Sequence, residues 1–189
     1  MAVAPLIPST ASPIDLAAYY EMLARGELDD SSVELLEGDL VSVSPPSPTH
    51  AAVVDRLTRY LGTPRGYWLR VQSPLEIPPN SAPEPDLALL DEAPSTKHHP
   101  RKALLVVEVA IHSYTEDRNR KGPLYARAGI PRYWLLNLPC GELESYTQPG
   151  PGGYRTCTSY RRGDPVPAPL QQLSELDIGE LLQGVKATR

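Results

Sequence analysis

Two acidic residues stand where packing alone does not put them: Asp86, directly after Pro85, and Glu108, inside the apolar run Leu104-Leu105-Val106-Val107-Glu108-Val109-Ala110. A buried, unpaired carboxylate is costly, so Glu108 requires a cation, a proton or hydrogen-bond donors beside it. A hard divalent cation meets that need, because Mg²⁺ is typically held by one or two carboxylates, keeps several waters and leaves room for phosphate oxygens. The nearest positive partner is Lys121, which shares one helical face with Asp117 and Tyr125 at four-residue intervals. Each residue also has an ordinary alternative. Asp86 reads as a strand-end carboxylate bonded to backbone N–H groups, Glu108 as half of a buried ion pair with an arginine, and Lys121 as a solvated helix residue.

The elements that must position these groups follow from periodicity and punctuation. Residues 14–25 carry Leu16, Ala17, Tyr20 and Leu23 at helical spacing, with Asp15 or Ser12 as cap. Residues 33–44 read as a β-hairpin turning at Gly38-Asp39, and the prolines at 45, 46 and 48 stop it. Thr49 is a candidate N-cap for a second helix reaching Leu61. Residues 67–77, 85–90 and 103–110 are strand candidates, the last apolar enough to be central and buried on both faces. Residues 116–128 read as a helix ending at Gly129, followed by a strand over 132–137. The turn Pro149-Gly150-Pro151-Gly152-Gly153 joins two strands, 142–147 and 154–160, as a peripheral hairpin, and a short helix over 176–182 closes the chain. Strands bracketing helices imply an α/β fold: a central mixed β-sheet flanked by helices.

A chain of 189 residues with 41% hydrophobic content suits one domain over 1–189, with frayed ends at 1–12 and 184–189. A net charge of -5 argues against coating nucleic acid by bulk positive charge, so any polyanion contact needs a local patch. Cys140 and Cys157 have neither zinc-knuckle nor redox-pair spacing and read as free thiols. With no signal-peptide pattern and no run of ~20 apolar residues, a cytoplasmic protein without membrane contact is expected. The 22 prolines and absence of phenylalanine fit a GC-rich or thermophilic source, since loop prolines lower unfolded-state entropy.

Pro85-Asp86, the strand Leu105-Val106-Val107-Glu108-Val109-Ala110, the run from Asp117 through Lys121 to Tyr125, and Ala128-Gly129-Ile130-Pro131-Arg132-Tyr133-Trp134 resemble the successive signatures of the Uma2 family (DUF820), in the restriction-endonuclease-like PD-(D/E)XK superfamily. Residues 33–41 and 44–50 resemble that family's opening block, so the likeness spans about 15–148 in order. The resemblance implies a restriction-endonuclease-like core and a metal-dependent phosphodiesterase. Asp86 and Glu108 would be Mg²⁺ ligands (Mn²⁺ as substitute), with the Val109 backbone carbonyl as a third. It implies that the lysine found two residues after the glutamate in most of the superfamily, a place taken here by Ala110, has moved to Lys121. Glu34 corresponds to an upstream acid that approaches the metal, and His50, Asp117 and Tyr125 are candidate supporting residues.

Two departures stand out: Pro123 lies inside the helix that carries Lys121, and Ile111-His112-Ser113-Tyr114 replaces a Ser-Pro-Ser pattern. Apart from the resemblance, Glu34 reads as a hairpin residue that exchanges roles with Glu37 if the register slips by one, and His50 as a surface histidine. Tyr125, Tyr133 and Trp134 read as core, and residues 97–102 as a mobile, solvated loop. The expected activity is a Mg²⁺-dependent endonuclease on nucleic acid, DNA first, from a self-associating protein. The alternatives are a non-cleaving binding or assembly subunit working through the 142–160 hairpin, and a hydrolase of smaller phosphoesters.

Overall fold

Asp15 accepts the Ala18 N–H at 2.8 Å and starts α1 (Leu16–Ala24). The computed structural model describes residues 13–28, 33–62 and 64–185; Ser12, the other candidate cap, and the ends 1–12 and 186–189 lie outside them. Strands β1 (Val33–Leu36) and β2 (Asp39–Ser42) form the expected hairpin, but the turn is Glu37-Gly38 rather than Gly38-Asp39. Both turn residues take positive φ, 52° and 87°, the two-residue geometry that matches strand twist. At Gly38 a Cβ would also lie 2.5 Å from the Pro13 Cβ, so glycine is required twice over.

Helix α2 (Pro48–Leu61) is capped by Ser47, whose hydroxyl accepts the His50 N–H, and not by Thr49. Pro48 decides this: at the first helical position it has no N–H to lose and its φ is already helical. The expected strand 67–77 is only β3 (Trp68–Val71), because Gln72 turns the chain out at φ 43°. There follow β4 (Leu87–Leu90) and β5 (Leu105–Ala110), then α3 (Tyr114–Glu116), a π-helical turn (Asp117–Lys121) and α4 (Gly122–Arg127). β6 (Arg132–Asn137), β7 (Glu142–Gly150), β8 (Gly153–Tyr160), the short pair β9 (Pro165–Val166) and β10 (Leu176–Asp177), and α5 (Ile178–Leu181) complete the order. The closing segment is thus half strand and half helix, capped by Asp177.

Six strands form one mixed sheet, β3-β4-β5-β6-β7-β8, in which only β5 and β6 are parallel. The 142–160 hairpin is peripheral as expected, forming one edge of the central sheet. One face packs Leu105, Val107 and Val109 against Val53, Val54, Leu57 and Leu61 of α2 and against α5. The other face packs Val106 and Ala110 with Leu124 and Tyr125 of α4 and with Leu36 and Val41 of the β1–β2 hairpin. α1 covers the outside of that hairpin.

The π-helical turn accommodates Pro123. Gly122 donates its N–H to the Asp117 carbonyl, one residue farther back than an α-helix would reach, and Pro123 falls in the first turn of α4, where no intrahelical donor is needed. Arg120 ties this turn to the hairpin, donating to the Leu36 carbonyl and to Asp39 Oδ2, each at 2.6 Å. Residues 97–102 are mostly exposed, as expected of a solvated loop, with two contacts to the body: Arg101 pairs with Glu76 at 3.0 Å and Arg70 bonds His99 at 3.2 Å. Val185 packs on the α2 side of the core. Both cysteines are free and exposed, and among the described residues no helix is long and apolar enough to cross a membrane.

Candidate active site

Glu108 is buried because β5 is central, and its side chain points to the α4 face, between Val106 and Ala110. Asp86 immediately precedes β4, and the β4–β5 register carried one step further sets it beside Glu108. Where β4 has ended, its carboxylate replaces a strand: Asp86 Oδ2 accepts the Val109 N–H at 2.8 Å. Pro85, with no N–H of its own, precedes it at this frayed edge.

Lys121 enters from the π-helical turn. Its Nζ lies 3.3 Å from Glu108 Oε1, 2.9 Å from Glu34 Oε2 and 3.9 Å from Asp117 Oδ1. The buried partner of Glu108 is therefore this lysine and not an arginine. Glu34 comes from β1 and is buried, whereas Glu37 stands in the turn and pairs with Arg127 and Arg120. Tyr125, expected as core, is buried and also donates its hydroxyl to Glu108 Oε1 at 2.7 Å. His50, at the start of α2, places Nε2 3.1 Å from Asp86 Oδ2, and these two side chains form the rim, keeping 15% and 11% exposure. All seven candidate side chains, Glu34, His50, Asp86, Glu108, Asp117, Lys121 and Tyr125, thus meet in one cluster.

Three residues were missed from sequence. Gln72 bonds Asp86 twice, through its N–H to the carbonyl at 3.0 Å and through Nε2 to Oδ1 at 3.4 Å; it sat inside an expected strand with nothing to mark it. Ser113 donates to Asp117 Oδ2 at 2.6 Å, a four-residue spacing that was readable. Tyr133 donates to the Asp117 carbonyl at 3.1 Å, where sequence showed only a core tyrosine.

Three carboxylates here share one ammonium, with the Asp86 carboxylate nearby on His50. Burial works against the Lys121 charge, but Glu108, Glu34 and Asp117 outweigh it and hold its pKa well above the usual lysine value, so it stays protonated. Burial raises Glu108 well above an ordinary carboxylic acid; Lys121 opposes the shift and the charges of Asp117, Asp86 and Glu34 add to it. Asp117 is pushed to about 6 for the same reasons, against the pull of Lys121 and Ser113. For His50 burial acts downward, yet the hydrogen bond and charge of Asp86, with Asp117 and the Val109 carbonyl, leave its pKa raised. The cluster has a surplus of negative charge, and a bound cation would relieve it.

The donor set fits a hard cation. Each acid has one oxygen committed, Asp86 Oδ2 to Val109 and His50, Glu108 Oε1 to Lys121 and Tyr125. The other oxygen of each has only a 3.4 Å contact, from Gln72 and from the Asp86 N–H respectively. Two available carboxylate oxygens suffice for Mg²⁺, which completes its shell with waters and substrate. Among the described residues no three His, Cys, Asp or Glu side chains are grouped as ligands for a metal ion, so any ion here would rest on the two carboxylate oxygens and a main-chain carbonyl.

A sequence-family model described as "Putative restriction endonuclease", Uma2, matches residues 16–179. The chain belongs to the Uma2 family. This Uma2 chain is similar in fold to a crystal structure of "a putative nuclease belonging to DUF820" from Anabaena variabilis ATCC 29413, with a TM-score of 0.71 over 92% of this chain and 100% of that one, at 15% identity. At that identity the likeness speaks for the fold. No curated protein matches the chain. The π-helical turn is the local device that aims Lys121 at Glu108.

Proposed function

We propose that this Uma2 protein is a Mg²⁺- or Mn²⁺-dependent endonuclease that hydrolyses phosphodiester bonds of nucleic acid, DNA first among substrates. One observation carries the reading: Asp86, from a strand edge, and Lys121, from a π-helical turn, both meet Glu108 of the central strand, one at each carboxylate oxygen. Asp86 and Glu108 would hold the cation, with the Val109 carbonyl beside them. When bound, that ion supplies Lewis-acid polarisation of the phosphodiester and lowers the pKa of the attacking water.

The chain's own residues do the rest. Lys121, held protonated, acts as a fixed positive charge for the phosphorus oxygens and not as a proton acceptor. Its ammonium and the Tyr125 hydroxyl hold Glu108 Oε1, which leaves Oε2 for the ion. His50 and the Val109 N–H fix Asp86 Oδ2 in the same way.

Incubation of the purified chain with supercoiled plasmid in Mg²⁺ or Mn²⁺ tests the reading. Nicking is expected, reduced by more than about a hundredfold in Asp86→Asn and in Glu108→Gln. Cutting that survives both substitutions would assign the activity to a contaminant. A second reading, a fold that binds without cleaving, draws on the fact that Lys121 already neutralises part of the site. Calorimetric titration with Mn²⁺ separates the two, because an inert site takes up no ion.

A further inference from the structure

Beside Gln72 the surface opens into a cavity of about 310 Å³ whose lining includes Tyr19, Tyr20, Leu23, Gln72, Glu84 and His99. That volume is at the small end of the ~300–1,000 Å³ of small-molecule sites, enough for a flat heterocycle. Its wall adjoins the reacting centre, since Gln72 bonds Asp86 through both backbone and side chain. A second cavity of about 430 Å³ lies by Glu37, Glu76, Arg101 and Arg127. Its charged groups already pair with one another, and it offers no aromatic ring.

Ring chemistry sets the first cavity apart. Tyr20 and His99 lie nearly parallel, with centroids 6.0 Å apart and planes at 23°, and Tyr19 tilts against Tyr20 at 5.4 Å. His99 is held in place because its Nδ1 accepts from Arg70. Burial, then the Arg70 charge, lowers its pKa, so it presents a neutral ring at neutral pH. Burial and the charges of Glu76 and Glu84 push the Tyr20 hydroxyl up to about 12, so it keeps its proton. Around these rings stand an amide, Gln72, and a carboxylate, Glu84. Aromatic faces lining a cavity of this size are the equipment that stacks a nucleobase.

We propose that this cavity receives one unpaired base of the substrate, stacked against the Tyr20–His99 pair, beside the phosphate that Asp86 and Glu108 address. The inference rests on the nuclease reading and narrows it. A base inside a duplex is paired and stacked and must first leave the stack, so a single strand is the favoured substrate, and a duplex such as supercoiled plasmid is cut only where it opens or turns a base out.

Cleavage by the wild-type chain in Mg²⁺ tests this on three substrates: a short single strand, the same strand with an abasic site moved through each position near the cut, and the fully paired duplex. The single strand is expected to be cut best, and loss of the base at one position to lower kcat/KM about ten- to a hundredfold, the effect of one lost stacking contact. His99→Ala should cause a similar loss on the intact strand and little further loss on that abasic strand, and His99→Phe should restore the rate. Abasic sites harmless at every position, with Asp86-dependent cleavage intact, overturn the base pocket and leave the nuclease reading standing. Absence of any cleavage overturns both. Because the abasic series uses unaltered protein, it stands even if a His99 variant fails to fold.

Discussion

The two faces of β5 are equally buried and chemically opposite. On one, Leu105, Val107 and Val109 meet the aliphatic side chains of α2 and α5. On the other, Glu108 lies between Val106 and Ala110 under Lys121 and Tyr125. Burial stabilises the first face directly, at roughly 25 cal/mol per Å² of apolar surface removed from water. On the second face the same burial opposes the charge, and Glu108 is tolerated because an ammonium and a hydroxyl meet it. A protein that needed only a core would place an aliphatic residue at 108, so the difference between the faces marks where a charge is kept at a cost to packing.

The largest expected effect is on the polar face. Lys121→Met leaves Glu34, Glu108 and Asp117 together with no ammonium, and unfolding in urea should show a loss of about 3–5 kcal/mol. Lys121→Met combined with Glu108→Met should recover much of that loss, because an apolar pair of similar volume replaces the ion pair. If Lys121→Met were as stable as the wild type, the two faces would not differ in the way described.

The apolar face provides the control. Leu57→Ala opens a cavity under β5 and should cost about 3 kcal/mol while leaving Mn²⁺ affinity in calorimetry unchanged. A fall in affinity would mean that the faces are coupled through the strand.

The smallest effect is one of pH. Asp117 titrates near 6 in the folded metal-free protein, above its usual 3.8, so between those values the folded state holds a proton that the unfolded state has released. Stability contributed by this group is present at low pH and is lost as pH rises through about 6. Unfolding free energy should therefore rise as pH falls from 7 toward 4, by at most about 1.4 kcal/mol per pH unit from Asp117, less in Asp117→Asn. Mn²⁺ should stabilise the protein more at pH 7 than at pH 5, because protons and the cation compete for the carboxylates.

Parts of this were legible in advance, and the misses have physical causes. Asp15 as cap, Gly129 as helix stop with φ 76°, and the apolar β5 run are local signals that hold wherever the segment sits. Ser47 displaced Thr49 because Pro48 preorganises the first helical residue, a rule available from sequence. Gln72 gave no warning, since a positive φ at a non-glycine residue is imposed by surroundings. The choice between Glu34 and Glu37 turned on one residue of register, which the Glu37-Gly38 turn settles by pointing Glu34 inward.

By itself the sequence determined the order of elements, the sheet's buried centre and the odd placement of Asp86 and Glu108, because these depend on neighbours in the chain and on the cost of a charge in an apolar run. Tertiary structure alone decided that Glu34, 87 residues from Lys121, shares its ammonium, that His50 and Gln72 close on Asp86, and that a π-helical turn aims the lysine despite Pro123. Such meetings are fixed by how a hairpin, a helix and a sheet pack, and no spacing within the chain encodes them singly.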